Sequence, residues 1–195
     1  GKQFEKETEI KCIAKSFNLP LAFPKKVVDY AKQISKEIDE IEIKNREDFR
    51  NKVIITIDGE DAKDFDDAIS VEKLENGNYL LGVHIADVTH YVKHKSELDK
   101  AALDRGTSVY LANTVIPMLP HQLSNGICSL NEGVERLAVS CVMEINDKAD
   151  IVNYDIFPSV IKSNKKMTYT NVNMILEHNK IPEGYEEFVD KLKDM

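Results

Sequence analysis

The sequence predicts an α+β fold in which a mixed, largely antiparallel sheet is flanked by helices. Two β-forming runs, residues 68–74 and 79–88, stand on either side of Asn76-Gly77. Asn-Gly accepts the left-handed backbone of a tight hairpin, so these runs are predicted to pair as antiparallel strands. A helical repeat of apolar residues lies outside the β-forming part of the chain, between residues 24 and 38. Tight hairpins combined with separate helices are typical of α+β folds rather than doubly wound parallel sheets.

The first 50 residues are interpreted as a charged, helical lead. Pro24 suits the first turn of a helix. Five apolar residues then recur at spacings near 3.6, namely Val27, Val28, Ala31, Ile34 and Ile38. Residues 36–52 are polar and mostly acidic, which indicates a connection. The boundary is placed near Arg50, so that residues 1–50 precede a body formed by residues 51–195.

The body consists of short β-type runs with helices between them. Residues 53–57 are predicted to form a strand, and a second hairpin is expected from residues 137–145 and 151–161 across the polar turn 146–148. A helix is expected between a capping Ser96 and Gly106, and another after a capping Thr170. Residues 115–130, which contain two prolines, are interpreted as an ordered loop.

Composition indicates a globular chain. Of the 195 residues, 42% are hydrophobic and 31% charged, which is enough apolar sequence to bury a core. No apolar run approaches the ~20 residues that span a bilayer, and the first residues are too charged for a secretory signal. A cytoplasmic location without a membrane partner is therefore expected.

The cysteines and the net charge bear on function. Cys12, Cys128 and Cys141 are far apart and odd in number, so they are interpreted as reduced structural residues rather than a disulfide framework or zinc site. The net charge of −8 argues, taken alone, against nucleic acid as a partner. This objection weakens if the acidic residues are concentrated at a metal site, because bound cations reverse the local field.

The most informative segment is an acidic stretch at the end of the strand predicted for residues 53–57. Residues 58–67 contain six carboxylates. A charge run of this kind is usually a solvated surface, and that interpretation stays open. Here, however, Gly59 permits a sharp turn, and Phe65 and Ala68 are apolar anchors that would hold the intervening carboxylates in place. A tethered loop is a better set of metal ligands than a floating one.

The ligand chemistry of this stretch favours a hard divalent cation. Oxygen ligands without His or Cys select Mg²⁺, with Mn²⁺ as a second possibility, over zinc. Two such ions could activate water and clamp the oxygens of a phosphoryl displacement. An EF-hand beginning at Asp58 is disfavoured, because Ala62 and Lys63 occupy its fifth and sixth positions. A phosphatase with an aspartyl nucleophile is disfavoured because Asp64 does not directly follow the apolar strand.

Four segments in order resemble the catalytic RNB domain of the ribonuclease R and ribonuclease II family of exoribonucleases. They are Ile57-Asp58-Gly59-Glu60-Asp61-Ala62-Lys63-Asp64-Phe65-Asp66-Asp67-Ala68, Gly82-Val83-His84-Ile85-Ala86-Asp87-Val88, Ile116-Pro117-Met118-Leu119-Pro120 and Leu123-Ser124-Asn125-Gly126-Ile127-Cys128-Ser129-Leu130. The ordered series covers roughly residues 51–177 and is more specific than any one motif. Residues 51–195 are accordingly interpreted as the N-terminal part of such a domain, which is incomplete.

The resemblance implies hydrolysis of RNA from a single-stranded 3′ end, with Mg²⁺, to nucleoside 5′-monophosphates. The family's four active-site aspartates, all expected to contribute to metal binding, match Asp58, Asp64, Asp66 and Asp67. Asp66 resembles the aspartate most directly needed for cleavage, and Asp64 the one that supports the second ion. Tyr110 and Tyr169 match aromatic residues that contact RNA, whereas each alone would more simply be a core residue.

Other polar residues receive a structural interpretation. His84 lies inside an apolar strand and is expected to be a hydrogen-bonded core residue rather than a ligand. Arg105 and Arg136 could contact phosphate, but nothing in the sequence raises either above an ordinary ion pair.

The resemblance also leaves parts of the family pattern unmatched. The family's arginine at the scissile phosphate and its flanking oligonucleotide-binding barrels have no match in these residues. The 195 residues alone are therefore expected to degrade RNA poorly or not at all. The alternative function is a non-catalytic, metal-stabilised module of the same fold that binds RNA or serves as a scaffold.

Overall fold

The computed structural model describes residues 6–35, 37–111 and 114–194. The helices are α1 (Lys6–Ser16), α2 (Lys25–Gln33), α3 (Glu40–Lys44), α4 (Val88–Tyr91), α5 (Glu97–Arg105), α6 (Tyr169–Leu176) and α7 (Val189–Asp194). The strands are β1 (Glu47–Asp48), β2 (Ile55–Asp58), β3 (Asp67–Lys73), β4 (Tyr79–Ala86), β5 (Val109–Leu111), β6 (Thr114–Ile116), β7 (Glu135–Ile145), β8 (Ile151–Lys162) and β9 (Lys165–Thr168). None of the helices in these described ranges is long and apolar enough to cross a membrane.

The chain divides into two compact units. The smaller contains residues 1–35 and 88–126, and the larger contains residues 36–87 and 127–195. The predicted boundary near Arg50 separates a helical lead from the resembling domain along the sequence, whereas these units are divided by compactness. That boundary therefore stays a prediction. Residues 1–5 of the predicted lead, and Lys36 at the start of the predicted connection, lie outside the described residues.

The larger unit is built on a seven-stranded sheet with the order β1-β8-β7-β4-β3-β2-β9. Neighbouring strands from β8 through β7, β4 and β3 to β2 are antiparallel, whereas β1 joins β8 and β9 joins β2 in parallel. The α+β prediction of a mixed, largely antiparallel sheet with flanking helices is therefore confirmed.

Both predicted hairpins form. In the first, the amide of Leu74 donates to the carbonyl of Asn78 at 2.8 Å, and Gly77 has a φ of 89°, which glycine adopts without strain. In the second, β7 and β8 pair along their length, with a register shift between Glu144 and Ile145. The polar turn closes where the amide of Asn146 donates to the carbonyl of Asp150 at 3.1 Å.

A compact apolar core supports the edge of the sheet formed by β9, β2 and β3. Its buried members are Ile55, Met167, Val172, Ile175, Tyr185, Phe188 and Leu192. The residues from α6 and α7 cover the face to which Ile55 and Met167 point, and burial of each large side chain stabilises the fold by about 1.5–3 kcal/mol. This packing fixes the end of β2, where the acidic stretch begins.

The smaller unit holds the helix predicted after Ser96. The Ser96 side chain accepts a hydrogen bond from the amide of Asp99 at 3.1 Å, and α5 ends at Gly106 with a φ of 74°. This capped start and glycine end confirm the prediction. Arg105 at the end of α5 lies over the ring of Phe23, with 3.7 Å from its guanidinium carbon to the ring centroid.

Several boundaries differ from the predicted ones. Helix α2 ends at Gln33, before the predicted Ile38, because Ile34 is extended with a ψ of 126°. The stretch interpreted as a connection contains α3 and β1, and the loop predicted for residues 115–130 contains the end of β6 and a π-helical turn. Thr168, rather than Thr170, caps α6 by accepting from the amide of Asn171 at 3.2 Å.

His84 lies at the centre of a buried chain of hydroxyl groups, as the core interpretation predicts. Its side chain is fully buried. Nε2 lies 3.0 Å from the Ser70 hydroxyl and Nδ1 lies 2.6 Å from the Ser140 hydroxyl, which in turn lies 2.6 Å from that of Ser159. Burial lowers the pKa of His84 from 6.5 to about 4, so the imidazole is neutral at pH 7.

We predict that His84 makes the stability of the fold depend on pH. Because its folded pKa lies below its ordinary value, the contribution is fully present above pH 6.5 and is lost as the pH falls towards 4. Between these limits the wild type should lose about 3 kcal/mol more than a His84→Gln variant in free energy of unfolding. Denaturant titrations at pH 7 and pH 4.2 would measure this difference, and equal pH dependence in the two proteins would contradict it.

Candidate active site

The acidic loop, defined as residues 58–67, joins two neighbouring antiparallel strands. Asp58 is the last residue of β2 and Asp67 is the first of β3. The loop begins with a turn in which the amide of Ala62 donates to the carbonyl of Gly59 at 3.2 Å. Gly59 does not have a positive φ, and a Cβ there would meet nothing within 4 Å. The chain thus turns at Gly59, as its sequence permits, but the turn uses backbone angles that other residues can also adopt.

The predicted apolar anchors hold the loop to the sheet. Phe65 is 3% exposed and Ala68 1% exposed, as predicted. The amide of Phe65 donates to the buried Ser129 hydroxyl at 3.0 Å, and its carbonyl accepts from the amide of Leu130 at 2.9 Å. The Ser129 hydroxyl also donates to the carbonyl of Lys63 at 3.3 Å. The second half of the loop is thus fixed by both backbone and side chain.

The four predicted aspartates share one electrostatic neighbourhood. Although much of the Asp66 side chain is exposed, desolvation of its carboxylate is the largest cause that raises its pKa, followed by the charges of Asp64, Asp67 and Asp58. The backbone of Asp66 is fixed, because its carbonyl accepts from the amide of Ala86 at 2.9 Å. These carboxylates repel one another, and a bound cation would relieve that repulsion.

The chemistry of this donor set fits a hard divalent cation, since every charged donor is a carboxylate oxygen. The geometry is less complete. Among residues 6–35, 37–111 and 114–194, no three His, Cys, Asp or Glu side chains are placed so that they could hold one metal ion together. Side-chain rotation would have to bring the carboxylates onto an ion, and the ligand set Asp58, Asp64, Asp66 and Asp67 stays a prediction.

The two predicted RNA-binding tyrosines are exposed, so neither is a core residue. Tyr169 is 59% exposed and begins α6, directly after Thr168, which is the partner of Asp58 across β2 and β9. The next residue, Thr170, donates a hydrogen bond to Glu60 in the acidic loop. Tyr110 is 71% exposed and lies on β5 in the smaller unit. Their contacts with RNA stay predictions.

The two arginines considered for phosphate have structural contacts instead. Nε of Arg136 donates to the carbonyl of Ser129 at 2.8 Å. Arg105 donates to the carbonyls of Pro117 at 3.0 Å and Ala22 at 2.8 Å. These contacts with backbone carbonyls give both guanidinium groups a structural role that requires no nucleic acid.

Sequence reasoning missed two residues that hold the loop, Ser129 and Lys166. Ser129 belongs to one of the segments that carry the family resemblance, which was a signal for its importance. Nothing distinguished Lys166 from its neighbours in a run of lysines and polar residues. Its contact with the loop, in which Nζ donates to the carbonyl of Ala62 at 3.1 Å, spans 104 residues of sequence.

All three cysteines are free thiols, in agreement with the prediction of no disulfide. Cys12 is exposed and Cys128 is buried. Burial is the main cause that raises the pKa of Cys128 to about 12, and the negative charge of Asp66 raises it further. Cys128 is therefore a buried thiol that senses the charge of Asp66.

Residues 46–195 match the family model of the RNB domain. The chain is 60% identical over 171 residues to ribonuclease R of Thermotoga maritima and 40% identical over 182 residues to ribonuclease R of Escherichia coli. These alignments cover 88% and 93% of this chain but 24% and 22% of the relatives. The chain thus spans about a quarter of the length of these relatives.

The chain is also similar in structure to solved proteins. The chain superimposes on Mycoplasma genitalium RNase R in complex with double-stranded RNA with a TM-score of 0.92 and 32% identity, covering 99% of this chain and 34% of the other. Yeast Ssd1, described as a pseudonuclease, has a TM-score of 0.76 at 19% identity, covering 98% of this chain and 24% of Ssd1. The second match shows a shared fold alone.

We predict that the thiols differ strongly in reactivity. Because the thiolate is the reactive species, Cys128 should resist an aromatic disulfide reagent at pH 8 in the folded protein, while the exposed Cys12 reacts at once. Mass spectrometry of the labelled peptides would identify each site. Denaturant should release Cys128, and a Cys12→Ser variant should lack the fast phase. Labelling of native Cys128 as fast as Cys12 would contradict its burial.

Proposed function

This chain belongs to the RNB domain family, and from that premise we propose that it is the acidic-site portion of a hydrolytic 3′-to-5′ exoribonuclease. The observation that carries the proposal is the neighbourhood of Asp58, Asp64 and Asp67 around Asp66, whose pKa is raised first by desolvation and then by their charges. The proposed substrate is RNA with a single-stranded 3′ end, and the products are nucleoside 5′-monophosphates. The similarity to ribonuclease R and to RNA-bound RNase R structures supports this assignment.

We propose Mg²⁺, with Mn²⁺ as a substitute, as the cofactor of the acidic loop. Asp58, the last residue of β2, and Asp67, the first residue of β3, would hold the metal together with Asp64 and Asp66. Divalent ions in such a site lower the pKa of bound water and stabilise the charge on transferring phosphate oxygens. Carboxylate oxygens are the donors that Mg²⁺ prefers, which supports this choice over zinc.

The chain's own residues would orient the substrate. Asp66 has a fixed backbone, and desolvation and neighbouring negative charges raise the pKa of its carboxylate, which supports its role at the reacting phosphate, with Asp64 beside it. Tyr169 borders the loop and Tyr110 is exposed, so each can offer a ring face to a base. Stacking of this kind accepts every base and suits an enzyme that acts without sequence preference.

The free cysteines support a cytoplasmic location.

The alternative is a non-catalytic, metal-stabilised RNA-binding or scaffold module. One observation supports retaining this alternative, because yeast Ssd1, described as a pseudonuclease, shares this fold. The fold alone therefore does not determine activity. The presence of all four aspartates favours the enzyme, since a scaffold would need neither their number nor their spacing. Because the chain spans about a quarter of its relatives and has a net charge of −8, we expect these residues alone to degrade RNA poorly.

We predict that Asp66→Asn in the full-length protein abolishes cleavage and leaves RNA affinity nearly intact. The substitution removes a charge at the reacting phosphate and changes little volume, so chemistry and binding should separate. The measurement follows 3′-labelled and 5′-labelled single-stranded RNA under Mg²⁺, with affinity measured separately in Ca²⁺. Retention of more than about a tenth of the wild-type rate, a barrier change under ~1.4 kcal/mol, would show that the assigned role is wrong.

Asp61→Asn is the matched control for this experiment. Asp61 lies in the same loop and is exposed, but it is not among the four aspartates assigned to the site. It should keep nearly the full rate. A loss equal to that of Asp66→Asn would indicate a general effect of loop charge instead of a specific role for Asp66.

We predict that Mn²⁺ or Mg²⁺ binds the acidic loop of this chain and raises its melting temperature, because a ligand of the folded state stabilises it by mass action. Isothermal titration calorimetry and thermal unfolding would measure both effects. The double variant Asp58→Ala with Asp67→Ala should lose them. Absence of binding at millimolar metal, or unchanged binding in the double variant, would contradict the ligand assignment.

A further inference from the structure

We propose that Lys166 is a positioning residue that holds the first half of the acidic loop in place without neutralising its carboxylates. The inference deepens the proposed function and rests on it in one respect, namely that these carboxylates bind a divalent cation. The contacts that carry it lie entirely within the larger unit.

The ammonium group of Lys166 contacts the loop at two points. Its Nζ donates to the carbonyl of Ala62 at 3.1 Å and lies 4.6 Å from the centroid of the Phe65 ring. An ammonium group at this distance from an aromatic ring is attracted to the negative face of the ring. A single side chain therefore ties the middle of the loop to its buried anchor.

The other end of Lys166 is rigid. The residue lies in β9 and is the register partner of Thr56 in β2, the strand from which the loop emerges. Its amide donates to the carboxylate of Glu132 at 2.8 Å. Lys166 thus connects the loop to the sheet that positions Asp58, and movement of the loop against that sheet would break the contacts of its side chain.

The remaining contacts leave a specific task for Lys166. Ser129 and Leu130 hold the loop only at Lys63 and Phe65. Before these residues, Ala62 is fixed to the sheet by Lys166, and Glu60 is held by Thr170 on an exposed surface. The carbonyl of Ala62 lies two residues before Asp64, so this tie restrains the backbone that leads into Asp64.

The choice of contacts matters for metal binding. A lysine paired with one of the aspartates would neutralise it and compete with a divalent cation. Lys166 instead directs its Nζ to a neutral carbonyl and an uncharged ring. The three charges that act on Asp66, those of Asp64, Asp67 and Asp58, are all negative. Lys166 therefore holds the loop through a neutral carbonyl and an aromatic ring.

A positioning role and a purely electrostatic role predict opposite changes. If Lys166 acted only as a nearby positive charge, its removal would make the loop more negative and increase affinity for Mn²⁺. If it positions the loop, its removal loosens the carboxylates and decreases that affinity. Lys166→Met keeps the length and apolar stem but removes the charge and donors, whereas Lys166→Arg keeps a cation that can contact both the carbonyl and the ring.

The test uses this chain, its two Lys166 variants, and two measurements. Amide hydrogen exchange without metal reports on Ala62 and Phe65, with strand β4 as the internal reference, and calorimetry reports Mn²⁺ affinity. In Lys166→Met, exchange at Ala62 and Phe65 should be at least about tenfold faster with β4 unchanged. Its Mn²⁺ affinity should fall about tenfold, which corresponds to ~1.4 kcal/mol, and Lys166→Arg should stay near wild type in both measurements.

Three results would overturn the proposal. These are unchanged exchange at the loop in Lys166→Met, an increased Mn²⁺ affinity in that variant, and equally faster exchange in β4, which would show a general effect on stability. Should Lys166→Met fail to fold, Lys166→Gln serves in its place, since it removes the charge and shortens the side chain that reaches Ala62 and the Phe65 ring. Faster exchange at Ala62 in Lys166→Gln supports the clamp, and unchanged exchange overturns it.

Failure of this inference is distinguishable from failure of the proposed function. Hydrogen exchange is measured without metal or RNA, so a loosened loop in Lys166→Met would establish the clamp even if Asp66→Asn left RNA cleavage intact. Conversely, loss of cleavage in Asp66→Asn with unchanged exchange in Lys166→Met would support the nuclease and overturn the clamp.

Discussion

Repulsion among the carboxylates of the acidic loop is the interaction that the surrounding structure must contain. Left to itself, a segment with this charge would extend into solvent, where the carboxylates separate. Burial of Phe65 opposes this, at about 1.5–3 kcal/mol for a fully buried aromatic side chain. Hydrogen bonds from Ser129 and Leu130 add to it. The apolar residue in the middle of the acidic sequence is therefore what allows the acids to stay together.

The sheet order explains why the loop lies at this position. Strand β2 has β3 on one side and β9 on the other, so the chain leaving β2 at Asp58 meets the start of β3 and the end of β9 at one edge of the unit. That arrangement brings Asp67 and Tyr169 close to Asp58 in space, although the three residues belong to different elements. The core beneath β2 and β9 then keeps these strand ends fixed.

Regular elements with strong local signals could be predicted from sequence, whereas the supports of the site could not. Asn76-Gly77 and the capping Ser96 act over a few residues, and both gave the correct element. Ser129 meets Phe65 across 64 residues, and Lys166 meets Ala62 across 104. Such contacts depend on the sheet order, which no local pattern encodes. The cap at Thr168 was missed for a related reason, since β9 is only four residues long and Thr168 is its last residue.

The same sheet also shows how the surroundings of a polar group determine its role. His84 lies in β4 among the hydroxyls of Ser70, Ser140 and Ser159, where burial keeps it neutral and its bonds are satisfied within the core. Asp66 lies just before β3, where part of its surface meets solvent and its neighbours share its charge. The first environment removes a reactive group from chemistry, because nothing outside the core can reach it. The second leaves a carboxylate among like charges at an accessible edge, where the proposed divalent cation would relieve the repulsion. The difference lies in the contacts, since both residues belong to segments that resemble the family.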